Sequence, residues 1–252
     1  MAINKNVYID CMNQEVTASI RAGTAATGAD TTDTHLGHPG GGSVLYNTGT
    51  NSGRITPLCT IDANTVNGWA LPSTDADNVG GTWTFGGSLE LSDSDRLGQF
   101  KVGTDAAFFF EVKLGIPDVS DYDVLGIGFV EPATYVAAID TTAELVSSYD
   151  EKAMIALRDN AGDIGTFTSL AGVDVNTDLA ATDWVDDAVK TLKVLVSSAG
   201  VVTYTIDGSA DASAVAFTFA DTTVVMPTII FAKAATVADT PPIIEYIKFG
   251  YQ

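Results

Sequence analysis

Carboxylates supply most of the chemistry this sequence could perform. Hydrolysing a glycosidic bond needs two of them about 5–9.5 Å apart, one protonated as general acid. Glu90-Leu-Ser-Asp93-Ser-Asp95 and Asp118-Val-Ser-Asp121-Tyr-Asp123 come nearest to such a pair. Their Asp-Ser content is that of turns between strands, so no catalysis is expected from them. Asp183, Asp186 and Asp187 crowd around Trp184. Three close carboxylates repel one another unless solvated or bridged, which makes them weak candidates for Ca²⁺. Asp159-Asn160-Ala161-Gly162-Asp163 offers oxygen ligands without EF-hand spacing and reads as a hairpin turn. His35 and His38 lie in a Gly-rich stretch with no cysteine at a zinc-like spacing, so they read as loop histidines. Trp69, Trp83 and Trp184 could stack on sugars if exposed, but core anchoring is the expectation. With no phosphate loop, nucleophile elbow or Cys–His pair, no cofactor is expected.

The elements that must position these groups are strands. Leu192, Val194 and Val196 alternate on one face, as do Val202, Tyr204 and Ile206 after Ser197-Ser198-Ala199-Gly200. This period of two with a Gly-containing connection predicts a β-hairpin, and Asp207-Gly208 predicts the next turn. Ala106 to Ile116 predicts a long strand, with both faces buried near Phe108–Phe110 because the run is continuously apolar there. Val124 to Val130 predicts another, with Gly126 and Gly128 on one face where a neighbour presses close. Ser88–Ser92, Lys152–Arg158, Ile164–Leu170, Val215–Ala220, Met226–Ala232 and Ile243–Tyr251 complete the regular set. A short helix is expected from Thr141, capped by Asp140 or Thr141. Asp174 to Asp187 reads as an acidic connection. Residues 1–55 carry short strands at Val7–Ile9 and Val16–Ile20, then a Thr-rich tract with no core-forming period, so they predict an arm lying on something else.

Composition bounds the partners. The 252 residues hold 12 basic against 32 acidic side chains, a net charge of −20. Nucleic-acid binding needs phosphates neutralised by Lys and Arg, so nucleic acid and anionic membrane are both disfavoured. Hydrophobic residues at 46% allow a proper core. No stretch approaches the ~20 apolar residues of a membrane-spanning helix. The two cysteines, Cys11 and Cys59, make no disulfide framework. The start lacks the apolar run of a signal peptide.

From about Gly87 to Tyr251 the order of features resembles the concanavalin A-like (laminin G-like) jelly roll. The likeness rests on GSLEL followed by AAFFFEVKLGI, on VLGIGFV, on the hairpin KTLKVLVSSAGVVTYTIDG, and on the closing strand IIEYIKFGY. It implies an all-β fold, an antiparallel two-sheet jelly-roll sandwich over 56–252, preceded by an extended, irregular N-terminal arm over 1–55. In the laminarinase-like branch the catalytic carboxylates are spaced Glu-x-Asp-x-x-Glu, a spacing neither acidic set here has, so no enzyme is expected. The legume-lectin metal ligands have no counterpart either.

The whole chain also looks like structural proteins of tailed bacteriophages, through its leaderless start, Lys-poor acidic composition and arm before a jelly roll. That resemblance implies a capsid decoration (cement) protein on the outer capsid surface of the virion, made in the host cytoplasm. Its partners would be the major capsid protein and copies of itself, a trimer by expectation. Val7, Tyr8, Ile9, His35, His38, Leu45 and Tyr46 in the arm would make the partner contacts. The alternative is a carbohydrate-binding, lectin-like domain of a tail fibre or surface protein, holding a glycan in loops at one rim.

Overall fold

In the computed structural model the chain is built from strands that all pair antiparallel, in two large sheets. The structure describes residues 7–10, 19–22, 32–35, 44–48, 56–58, 68–71, 80–86, 98–132, 149–158, 161–179, 183–211, 214–234 and 241–252; before residue 70, Tyr8 is the one residue whose side chain it describes. The strands are β1 (Val7–Asp10), β2 (Ser19–Ala22), β3 (Thr32–His35), β4 (Val44–Thr48), β5 (Thr56–Leu58) and β6 (Gly68–Ala70). They continue with β7 (Gly80–Thr84), β8 (Phe100–Lys101), β9 (Phe108–Ile116), β10 (Tyr122–Val130), β11 (Lys152–Leu157) and β12 (Ile164–Leu170). The last are β13 (Val173–Asp178), β14 (Ala188–Val196), β15 (Val202–Ile206), β16 (Ser209–Ala210), β17 (Val224–Lys233) and β18 (Ile243–Tyr251).

The first sheet has the order β16-β15-β14-β9-β18-β6-β5, with β1 also on β18. The second has the order β13-β12-β11-β10-β17-β7-β4, with β8 also on β17. This is the concanavalin A-like jelly-roll sandwich. Strands from before residue 55 pair into these sheets: β1 with the closing strand (Val7↔Phe249, Ile9↔Ile247), and β4 with β7 (Leu45↔Trp83, Tyr46↔Thr82). The Thr-rich tract contributes β3, which pairs with β2 up to Ser19↔His35.

Alternation builds the core. Phe108, Phe110, Val112 and Leu114 of β9, Leu192, Val194 and Val196 of β14, and Ile247 and Phe249 of β18 face inward. They meet Leu125, Ile127, Phe129, Ala153, Ile155, Leu157, Ile229 and Phe231 of the second sheet. Aromatic rings dominate the contact: Phe100 stacks on Phe108 at 4.6 Å, and Phe129 meets Phe108 edge-on at 5.1 Å. Such pairs add about 0.5–1.5 kcal/mol beyond area burial. Trp83 and Trp184 are fully buried, as expected of core anchors.

The hairpin β14–β15 has the predicted register, Leu192↔Ile206 to Val196↔Val202. Its connection closes through Gly200 N–H to Ser197 O at 2.9 Å, with Gly200 at φ +81, a conformation cheap for glycine alone. Gly126 and Gly128 lie under β11: a Cβ at Gly128 would come within 2.2 Å of Ala153 O.

Three expectations are corrected. At the start of β9 Phe109 stays half-exposed, and burial on both faces comes at the other end, Leu114–Ile116. Val215–Ala220 is no strand; it makes one bridge, Val201↔Thr218, while Phe217 and Phe219 plug the core. The acidic connection begins as a strand, β13, zipped to β12 from Leu170↔Val173 to Gly165↔Asp178. The Ser88–Ser92 strand and the helix at Thr141 lie outside the described residues.

The second sheet is buried on its outer side as well. Val124, Val130, Met154, Ala156, Phe167, Met226, Ile230 and Ala232 alternate with the core positions and form a separate buried apolar cluster with Tyr149. Lys152 shares this side, wholly buried, with its Nζ 2.7 Å from Asp174 Oδ1. This explains the near-continuous hydrophobicity of β10, β11 and β17.

Candidate functional site

The outer side of the first sheet is different. Because the odd–even alternation sends Phe110, Val112, Val194 and Ile247 inward, it sends Phe109, Glu111, Lys113, Thr191, Lys193, Tyr246 and Lys248 outward. Register then lines them up. Tyr8 lies opposite Lys248, Lys248 opposite Glu111, Glu111 opposite Lys193, and Lys193 opposite Thr205. One row thus crosses β1, β18, β9, β14 and β15.

Glu111 is the hub of the row. Its Oε1 accepts from the Tyr246 hydroxyl at 3.0 Å and from Lys248 Nζ at 3.2 Å, and its Oε2 lies 3.5 Å from Lys193 Nζ. Burial pushes the Glu111 carboxyl up, but the hydrogen bonds from Lys248 and Tyr246 and the charges of Lys248 and Lys193 outweigh it, holding the group below its ordinary value. Burial likewise opposes the charge on Lys248, and the Glu111 carboxylate overrides it, raising the ammonium above its usual range. The Tyr246 hydroxyl is pushed up by burial and by the adjacent Glu111 charge. Each of the pair Glu111 and Lys248 thus favours the other's ionised form.

Aromatic rings flank these charges. Lys248 Nζ sits 4.1 Å from the Tyr246 ring centre and 5.4 Å from that of Tyr8, and the two rings are 6.0 Å apart and inclined by 53°. Lys193 Nζ lies 4.6 Å over the Phe109 ring. Tyr8 is 57% exposed. At the β18 bulge between Ile244 and Tyr246, Glu245 turns to ion-pair with Lys113. Bulges re-aim side chains in this way.

Ion pairs with a solvent-facing ammonium contribute only about 0–1 kcal/mol each, so the row adds little to folding. What it provides is an open plate of ring faces beside fixed donors and an ionised acceptor. That combination suits a ligand with one apolar face and a rim of hydroxyl or carboxylate groups.

Among the described residues, those singled out from the sequence form no metal-holding group. Asp186 Oδ1 accepts from Val119 N at 2.9 Å, and Asp187 takes a left-handed φ of 59 with its N–H on Ile116 O. Asp183 is exposed. Among the described residues no group of three or more His, Cys, Asp or Glu could hold a metal ion, and the weak candidates Asp183, Asp186 and Asp187 form none. Asp118 caps a short 3-10 turn, accepting from Ser120 N and Oγ, which is the turn role expected of it. His38 lies outside the described residues, as do Glu90, Asp93, Asp95, Asp159 and Asn160; His35 ends β3. Of the expected partner contacts, Val7, Tyr8, Ile9, Leu45 and Tyr46 sit in strands whose backbones pair within this chain, and register places Tyr8 opposite Lys248 in the row. Sequence reasoning missed Glu111, Lys193, Tyr246 and Lys248. The available signal was a polar residue at the outward position in the middle of each of the most strongly alternating strands.

Another carboxylate stands at the rim between the ends of β10 and β11. Glu131 Oε1 accepts from Asp150 N at 3.0 Å. Burial, and then the like charges of Asp150 and Glu151, hold its carboxyl above the ordinary value despite hydrogen bonds from the Asp150 and Glu151 backbones. Glu151 Oε2 takes Thr223 Oγ1 at 2.9 Å and ties β17's approach to this rim.

No family model matches the sequence, and no curated protein matches it either. Solved structures do match in fold. A mutant form of the Emp46p carbohydrate recognition domain superposes with a TM-score of 0.51 at 9% identity, covering 82% of this chain and 87% of that one. The Bacillus licheniformis β-glucanase matches with a TM-score of 0.45 at 10% identity, over 98% of each chain. The carbohydrate binding module CBM66 from Bacillus subtilis matches with a TM-score of 0.42 at 10% identity, covering 78% of this chain and 96% of that one.

Proposed function

We propose that this chain is a non-catalytic carbohydrate-binding sandwich, recognising a glycan on the outer side of its first sheet. The observation that carries the reading is the row Tyr8–Lys248–Glu111–Lys193, with Tyr246 and Phe109 beside it. A pyranose has apolar C–H faces that lie on an aromatic ring and hydroxyls at its edge. The ring of Tyr8 supplies the plate. The Glu111 carboxylate accepts from hydroxyls, and the lysine ammoniums donate to them. The likeness to the Emp46p carbohydrate recognition domain fits this use of the fold. The site differs from the rim loops expected at first: it is a sheet face, held by backbone pairing rather than by loop conformation. Such pre-organisation lowers the ordering cost of binding.

The capsid-decoration reading draws no support from these observations. Its arm was to reach a neighbouring subunit, and the strands found there, β1 and β4, pair within their own sheets.

A glycan array screened with the full chain tests the proposal, followed by calorimetry on each hit. Tyr8→Ala and Tyr246→Ala should each weaken binding by about two- to tenfold, the worth of a lost ring contact. Val173→Thr, on the far edge of the other sheet, should leave it unchanged. A folded protein that binds nothing on a broad array would sink the reading.

A further inference from the structure

Resting on the glycan reading above, we infer that the sugar anchored at this face is a uronate, its ring on Tyr8 and its carboxylate on Lys248 and Lys193. The chain as a whole is strongly acidic, with 12 basic residues against 32 acidic ones. Yet three lysines, Lys113, Lys193 and Lys248, gather on one side of one sheet. Lys113 is neutralised by Glu245. Among the described residues the other two share one carboxylate, Glu111, so the described centre of the row holds one more positive than negative group in an otherwise negative molecule.

Depth also separates the charges. The Glu111 side chain is 16% exposed, against 30% for Lys193 and 37% for Lys248. An incoming ligand therefore meets the ammoniums first, with the carboxylate beneath holding them in place. Each ammonium carries three donors; Glu111 accepts one from Lys248 and ion-pairs with Lys193 at 3.5 Å. A neutral sugar would use those donors only for hydroxyls and would leave the excess charge uncompensated. A carboxylate on the sugar ring forms charge-assisted hydrogen bonds, roughly twice as strong as neutral ones. The geometry suits such a residue: Lys248 Nζ is 5.4 Å from the centre of the exposed Tyr8 ring, a separation spanned by a pyranose stacked there with its C5 carboxylate turned to the ammonium. The distant acidic surface would disfavour a long polyanion that ran off this patch, so a short oligouronate is the fitting ligand.

The test titrates the full chain, by NMR and calorimetry, with trigalacturonate, with trimannuronate and with the methyl ester of each. At least one free acid should bind about tenfold or more tightly than its ester, and its binding should weaken as salt rises. Lys248→Met, which keeps the stem over the tyrosine rings, and Lys193→Ala should each cost about tenfold for the acid and leave the ester nearly unaffected. Equal binding of acid and ester would overturn the uronate inference while leaving a glycan site. So would failure of both acids when a neutral array hit shifts Tyr8 and Tyr246 resonances. If no glycan perturbs this face at all, the inference and the function on which it rests both fall.

Discussion

The two outer faces of this sandwich are built by the same alternation and used in opposite ways. Outward positions on β9, β14 and β18 are Phe109, Glu111, Lys113, Lys193, Tyr246 and Lys248, and they stay partly exposed. Outward positions on β10, β11 and β17 are Val124, Gly126, Gly128, Val130, Lys152, Met154, Ala156, Met226, Ile230 and Ala232, and they are buried. Both faces carry a lysine–carboxylate pair, Lys248–Glu111 on one and Lys152–Asp174 on the other. Burial decides what the pair does. On the open face the ions remain available to a ligand and add little to folding. On the sealed face Lys152 is desolvated, and its neighbouring carboxylate becomes a requirement of the fold.

The largest effect that would sharpen this contrast is a ring deletion on each face. Phe167→Ala, within the sealed cluster, should cost about 3–5 kcal/mol. Phe109→Ala, half-exposed under Lys193, should cost less than about 1 kcal/mol. Urea unfolding of both variants measures the difference, and equal losses would remove the distinction between the faces.

Breaking one ion pair per face should give the next effect. Asp174→Ala takes away a carboxylate 2.7 Å from a wholly buried ammonium and should cost toward the lower end of about 3–5 kcal/mol, since Asp174 itself is partly exposed. Glu245→Ala, facing the exposed Lys113, should cost no more than about 1 kcal/mol. Thermal melts at neutral pH rank the two, and a reversed order would contradict the burial argument.

The smallest effect is in pH dependence. Glu111 titrates below the ordinary 4.5 in the fold, so its contribution to stability is present above pH 4.5 and is lost as pH falls through its folded value. Glu131 titrates above 4.5, so its contribution is present below pH 4.5 and is lost as pH rises through its folded value. Glu111→Gln should therefore flatten the stability curve on the acid side of pH 4.5, and Glu131→Gln should flatten it just above. Denaturant midpoints collected every half pH unit would expose a wrong sign in either variant.

Much of the fold was legible in residue alternation. The β14–β15 hairpin, the close approach at Gly126 and Gly128, and the inward set Ala153, Ile155 and Leu157 follow from side-chain period and from glycine's missing Cβ. β13 was not legible, because Val173-Asp-Val-Asn-Thr-Asp178 has the acidity of a loop; it becomes a strand by zipping onto β12, a tertiary choice that overrides propensity. Val215–Ala220 failed in the opposite direction: its apolar alternation serves to plug Phe217 and Phe219 into the core without a neighbouring strand along its length. The joining of the row could not be read from sequence alone, since Tyr8 lies more than a hundred residues from Glu111.

By itself, then, the sequence determined which side of each strand is apolar, and with it an antiparallel sandwich, because a period of two leaves a strand only one way to bury its hydrophobic face. It also determined an acidic surface with few cations to distribute. Only the tertiary structure decided that Tyr8, Lys248, Glu111 and Lys193 stand shoulder to shoulder. Strand order and register are set by which inward faces pack together, and the outward residues are carried into alignment by pairing in which they have no part.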